Sequence, residues 1–193
     1  MARRLLQLGV MRGLLASLLL LLPVGCSGST HVIPLLGAAG VPTTPAITVP
    51  LEVVTQSTAV PDPLPVSGSD VAYGDVEGAL GHAVASATVP WAQEHRGDAT
   101  GRDGWQLFVE VTSANAQSDG ERVIFTMTVR ATLRARAGNV YLAQSQASCR
   151  QGAVIPADRG APVMYRCMMQ VGHQLAGWLE GVDLNAVAPP RSS

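Results

Sequence analysis

Chemistry in this 193-residue chain must come from three cysteines, four histidines and a row of arginines. Thiols can carry acyl chains, bond to one another or hold a metal. Cys26 stands near the start; Cys149 and Cys167 stand 18 positions apart near the end, without the C-x-x-C spacing of a redox or zinc pair. His31, His82, His95 and His173 share no local cluster, and Cys167 with His173 offers too few ligands for zinc. Ser27 lies in Gly25-Cys26-Ser27-Gly28-Ser29, which is not a nucleophile elbow. Gly97 to Gly101 lacks the lysine and the spacing of a phosphate-binding loop. No acidic pair stands out as general acid and base. The expectation is no catalytic residue, no metal and no cofactor. Arg122, Arg130, Arg134 and Arg136 share one parity along an alternating run, and their planar forks suit carboxylate or phosphate. They are the candidate partner-binding residues. The alternative is a solvated face that guards the sheet against aggregation.

The first 25 residues set the address. Arg3, Arg4 and Arg12 form a basic head, and Leu14 to Val24 is a nearly unbroken apolar run. Basic head, short apolar middle and small residues at the end describe a secretory signal peptide. Eleven residues span about 16 Å as a helix, short of a hydrocarbon core of about 30 Å.

The end of this leader, Pro23-Val24-Gly25-Cys26, resembles the lipobox of bacterial lipoproteins. Gly25 is the small residue before the cysteine; Pro23 stands where the family usually has leucine, with Leu22 one earlier. The resemblance implies that Cys26 is acylated with chains such as palmitate, becomes the first residue after cleavage, and anchors the protein to a membrane. Two or more chains anchor stably. Ser27 after it implies the outer membrane, facing the periplasm. The alternative is an ordinary signal peptide with a cysteine near the cut. With Cys26 acylated, Cys149 and Cys167 remain, and an even pair in an exported chain reads as a disulfide. A metal or redox pair is the alternative.

Composition narrows the partners. All 13 basic residues are arginine. Removal of the leader leaves ten arginines against 14 acids, a net charge near −4, which argues against nucleic-acid binding. Aromatics make up 4% of the chain, so any core is built from Val, Leu, Ala and Met.

Seven prolines between Pro34 and Pro65 suit an extended tether over residues 26–69, with one edge strand at Ile47 to Thr55. Asp75 is placed as the N-cap of a first helix, whose apolar stripe is Val76, Leu80, Ala83, Val84 and Ala87. Pro90 is expected to stop or kink it near Val89. Trp105 to Ala116 then alternates, with Trp105, Leu107, Val109 and Val111 on one side. Ser118-Asp119-Gly120 turns the chain into a longer alternating run, Val123 to Arg136, and Val140 to Ser148 makes a third strand. Met164, Cys167, Met168, Val171, Leu175, Trp178, Leu179 and Val182 form the stripe of a last helix, with Gly181 near its end. Residues 70–187 are expected to be an α+β domain: a two-layer, antiparallel three- to four-stranded meander covered on one face by two helices. Residues 188–193 read as a tail.

Leader, tether, helix, meander and a final helix carrying Gln174-Leu175-Ala176-Gly177-Trp178-Leu179 resemble the ABC-type transport auxiliary lipoproteins. The same order is similar to the lipopolysaccharide-assembly lipoprotein of the outer-membrane translocon. The resemblance implies a periplasmic, non-enzymatic accessory of an envelope transport or assembly system, with an envelope protein as partner. A binder of a small apolar ligand at the helix–sheet interface is the alternative; a secreted enzyme is the reading the residues support least.

Overall fold

The computed structural model describes residues 29–38, 41–42, 51–95, 104–136 and 139–184. The expected leader over residues 1–25, Cys26 and the expected tail over residues 188–193 lie outside them. In chain order come β1 (His31–Pro34), β2 (Leu51–Gln56), β3 (Leu64–Ser67), β4 (Val71–Gly74), α1 (Val76–Glu94), β5 (Trp105–Ser118), β6 (Val123–Ala135), β7 (Val140–Ala153) and α2 (Ala161–Glu180). A 3₁₀ turn at Ala157–Arg159 precedes α2.

Strict alternation builds the centre. On β6, Val123, Phe125, Met127, Val129, Ala131 and Leu133 are buried, while the even-numbered residues face outward. β5 pairs antiparallel with β6 and buries Trp105, Leu107, Val109 and Val111. Its register then slips between Val111 and Ser113. The extra residue is Thr112, whose hydroxyl donates to the Thr128 carbonyl at 3.1 Å. Beyond this bulge the inward parity of β5 changes, so Ala116 rather than an odd-numbered neighbour is buried. β7 pairs antiparallel with β6 as far as Ala153, past the expected end at Ser148, so Cys149 lies within the strand.

The sheet is larger and more mixed than a three- to four-stranded antiparallel meander. Its seven strands run β1-β4-β3-β5-β6-β7, with β2 also on β5. β2 and β3 share one edge of β5, both parallel to it: β2 along Trp105 to Glu110, β3 along Ala116 and Gln117. β4 returns antiparallel to β3, and β1 lies parallel to β4. Residues 26–69 are therefore not a tether throughout, because they supply three strands. β1 and β3 are four residues each, too short to show a period; β1 pairs with β4 about 40 residues on, and β3, beside its neighbour β4, reaches β5 about 50 residues on. β2 begins at Leu51, just past Pro50, as an outer strand of β5.

Both helices cover the inner face. α2 packs on β6 and β7, and α1 packs on α2 and β2. α1 runs through Pro90 to Glu94, so it does not stop near Val89, the expected point of a stop or a kink. Pro90 removes the bond to the Ser86 carbonyl, but Trp91 is only 3% exposed and Ala92 1%, and burying these two holds the last turn in place. Asp75 does not cap α1 with its side chain; it sits at φ 62° and donates its own N–H to Asp62 Oδ1 at 2.9 Å. Gly172 lets the helices touch: a Cβ there would lie 2.9 Å from the Ala83 carbonyl oxygen and 3.0 Å from Ala87 Cβ. The Tyr73 hydroxyl donates to the Ala157 carbonyl, and its ring meets Phe125 edge-on with centroids 5.3 Å apart. Burial pushes the Tyr73 pKa up to about 12. Gly181 ends α2 in right-handed geometry, φ −91°, rather than as a left-handed cap.

Candidate functional site

Two faces carry the residues singled out in the sequence. The first is the seam between α2 and β7. Cys149 and Cys167 are bonded, with Cα atoms 5.4 Å apart. Next to them Gln174 bonds the outer edge of β7 twice: its Oε1 accepts from the Ser148 N–H at 3.1 Å, and its Nε2 donates to the Ser148 carbonyl at 2.9 Å. Gln151 Nε2 donates to Gln170 Oε1 at 2.9 Å. This seam fastens the last helix to an otherwise open strand edge.

The second face is the outer side of the sheet, which neither of the two described helices covers. Arg130 lies 3.7 Å from Glu110, and Arg136 3.4 Å from Glu52. Gln106 also reaches Glu52, at 3.1 Å. The Arg134 guanidinium sits 5.8 Å from the Phe108 ring centroid and donates to Asn139 Oδ1 at 3.4 Å. Three of the four expected arginines thus have neighbours within the fold. Such exposed pairs contribute little stability, so they can be exchanged for an outside acid at small cost.

Arg122 is set apart at the far end of β6. It lines a concave site of about 280 Å³ with Ile124, Gly152, Val154 and Arg150. Arg150 was not among the expected residues. Its signal lay in the alternation of β7, which continues past Ser148. Register places Thr126 opposite Arg150 and Ile124 opposite Gly152, so both arginines flank a spot without a side chain. Neither forms an ion pair among the described residues. The nearby Asp119 carboxylate accepts from the N–H groups of Arg122 at 2.7 Å and Glu121 at 3.1 Å, which holds its pKa below the usual range.

The histidines do not converge. His31 is exposed on β1. His82 Nδ1 meets the Tyr165 hydroxyl at 2.8 Å. His95 stacks on Trp91 with centroids 4.6 Å apart and donates from Nδ1 to the Trp91 carbonyl at 3.0 Å. His173 faces a groove of about 380 Å³ between α1 and α2, shared with Pro90, Trp91, Met169 and Ala176. Among the described residues no group of three or more His, Cys, Asp or Glu could hold a metal. Among them, too, no helix is long and apolar enough to cross a membrane.

What fold and site define together is a disulfide-bonded α+β domain, with one face of its sheet covered by helices and the other, among the described residues, open and arginine-bearing. No family model and no curated protein matches the chain. It is similar to a solved protein of Xanthomonas campestris assigned to the family model DUF330, at 16% identity and TM-score 0.49, over 69% of this chain and 85% of that one. It is also similar to lipoprotein GNA1162 of Neisseria meningitidis, at 16% identity and TM-score 0.33, over 66% and 97% of the two chains. A third likeness is to the hypothetical protein CT253 of Chlamydia trachomatis, at 9% identity and TM-score 0.39, over 68% and 96%. At these values the likeness carries no role across.

Proposed function

We propose that this chain is a lipid-anchored protein of the bacterial cell envelope: a non-enzymatic accessory or scaffold, held by acyl chains on Cys26 to the outer membrane and facing the periplasm. The observation that carries this reading is the use of the cysteines. Cys149 and Cys167 are consumed by one bond, which suits an oxidising compartment, and the remaining cysteine stands directly behind the basic and apolar run that reads as a leader. The partner is an envelope protein of a transport or assembly system, docking through the open face by way of Arg130, Arg134 and Arg136. An anchor confines the domain and raises its local concentration at the membrane. Cys26→Ser should move the protein from the membrane fraction to the soluble periplasmic fraction; unchanged fractionation would remove the anchor. Arg130→Gln with Arg134→Gln should lower partner recovery with the fold intact, and equal recovery would count against docking.

A second reading, a binder of a small apolar ligand, draws on the groove between α1 and α2. The helix–sheet interface proposed for it is filled by Leu80, Val84, Leu107 and Leu175, all buried. The groove instead offers Met169, Pro90 and Trp91, whose buried indole Nε1 has no hydrogen-bond partner among the described residues. Native mass spectrometry would find a co-purified small molecule under this reading, and none under the first.

A further inference from the structure

The pairing registers bring the entry of the domain and the Arg122–Arg150 pocket to the same end of the sheet. β5 and β7 finish there and β6 begins there. β3 runs parallel to β5 and finishes beside Gln117, and β4 starts back from that point. His31, the first residue of β1, pairs with Val71, the first of β4. His31 is five residues from Cys26, a reach of at most about 18 Å. Four strand spacings separate β1 from β6, about 19 Å across the sheet. An anchor at Cys26 therefore brings this end, and not the β6–β7 turn, to the bilayer surface.

We propose that Arg122 and Arg150 bind the phosphate of an anionic phospholipid headgroup in the membrane that carries the anchor. This deepens the anchored reading and rests on it for orientation. Among the described residues neither guanidinium fork has a carboxylate within ion-pair distance, although the Arg122 charge acts on nearby Asp119, and the two forks line one concavity whose described lining holds no carboxylate. Asp70, Asp119, Glu121 and Asp158 also lie near this end, so the end as a whole is not basic. The recognition is of one phosphate in a pocket rather than a general attraction to a negative surface. Apolar groups stand where acyl chains begin. Three large apolar side chains are exposed among the described residues, and two are near this end: Val154, 71% exposed on the pocket rim, and Val32, 48% exposed on β1. Ile124 supplies the apolar wall opposite Gly152.

The test uses the full exported chain, purified in uncharged detergent and titrated with dihexanoylphosphatidylglycerol, dihexanoylphosphatidylcholine and inorganic phosphate. Amide exchange is followed at residues 122–124 and 150–154. The phosphatidylglycerol should slow exchange there, more tightly than either other probe. Arg122→Gln with Arg150→Gln should weaken that binding roughly a hundredfold, at about tenfold for each charge-assisted hydrogen bond lost. The unliganded melting temperature should not change. Equal binding by the double variant overturns the pocket, and inorganic phosphate binding as tightly as the lipid overturns the lipid as its occupant. Intact mass of the same sample reads the anchor separately: lipid binding without acylation at Cys26 keeps the pocket and removes the anchored reading.

Discussion

Removing the bond between Cys149 and Cys167 should cost this domain about 3 kcal/mol. The bond closes a loop of 18 positions. Closing a loop of that size removes roughly 10–11 cal/mol/K of entropy from the unfolded chain, or about 3 kcal/mol at 25 °C. The native seam keeps other fasteners: Gln174 still holds Ser148, and Met164, Met168 and Val171 stay buried on α2. The loss should therefore appear as lower stability of the same fold. For a domain of this size it corresponds to a melting temperature lower by about 6–12 °C. The assay is urea unfolding of the oxidised protein, the same protein under reductant, and Cys149→Ala/Cys167→Ala. The reduced protein keeps both sulfurs, so its loss isolates the cross-link. The double alanine variant adds the lost packing of two buried sulfurs. A difference below about 1 kcal/mol between oxidised and reduced protein would refute the reasoning. It would mean that the reduced chain is already confined when unfolded, or that the helix–strand seam is strained by the bond.

Other consequences are as direct. Tyr73 is neutral and buried, with its pKa raised from 10.0 to about 12. The unfolded phenol ionises first, so stability is fully present below pH 10 and falls as pH rises from 10 toward 12. The fall is about 2–3 kcal/mol, at about 1.4 kcal/mol per pH decade. Tyr73→Phe should lower stability at pH 7 by about 1–2 kcal/mol, because the Ala157 carbonyl loses its donor, and should flatten that alkaline fall; an unchanged alkaline slope would exclude Tyr73 as its source. Gly172→Leu should cost about 1–3 kcal/mol by forcing α1 and α2 apart, whereas Gly177→Ala, with open space around it, should stabilise by about 0.5–1 kcal/mol. Equal effects in thermal melts would count against the close helix contact. Gln174→Ala should cost about 1 kcal/mol and speed amide exchange at Ser148; unaltered exchange would show that the edge does not depend on this side chain.

Elements with a long, clean period were legible in the sequence. The inward residues of β6 and the buried stripe of α2 follow alternation and three-to-four spacing from end to end, and the first half of β5 does the same. Legibility stopped where pairing across the chain decides structure. β1 and β3 have four residues each and too few positions to show alternation, so the proline content around them read as tether. The bulge at Thr112 reverses parity partway along β5, and no local residue type announces it. Pro90 argued for a stop because its local cost is visible, while the burial of Trp91 that offsets it is a tertiary fact. Within the candidate sites, cysteine parity pointed to the pair that stands bonded. The arginine row was legible as one face, but its division was not. Arg130, Arg134 and Arg136 have acids, a ring or an amide beside them, and only register brings Arg122 to Arg150.

The account turns on what Cys26 carries. Intact and peptide mass spectrometry of the protein extracted from membranes tests it most directly. The account predicts a chain beginning at Cys26, heavier than its residues by a diacylglycerol and an N-linked acyl group, with Cys149 and Cys167 two hydrogens short of free thiols. A chain still beginning at Met1, or an unmodified Cys26 thiol in water-soluble protein, would contradict it.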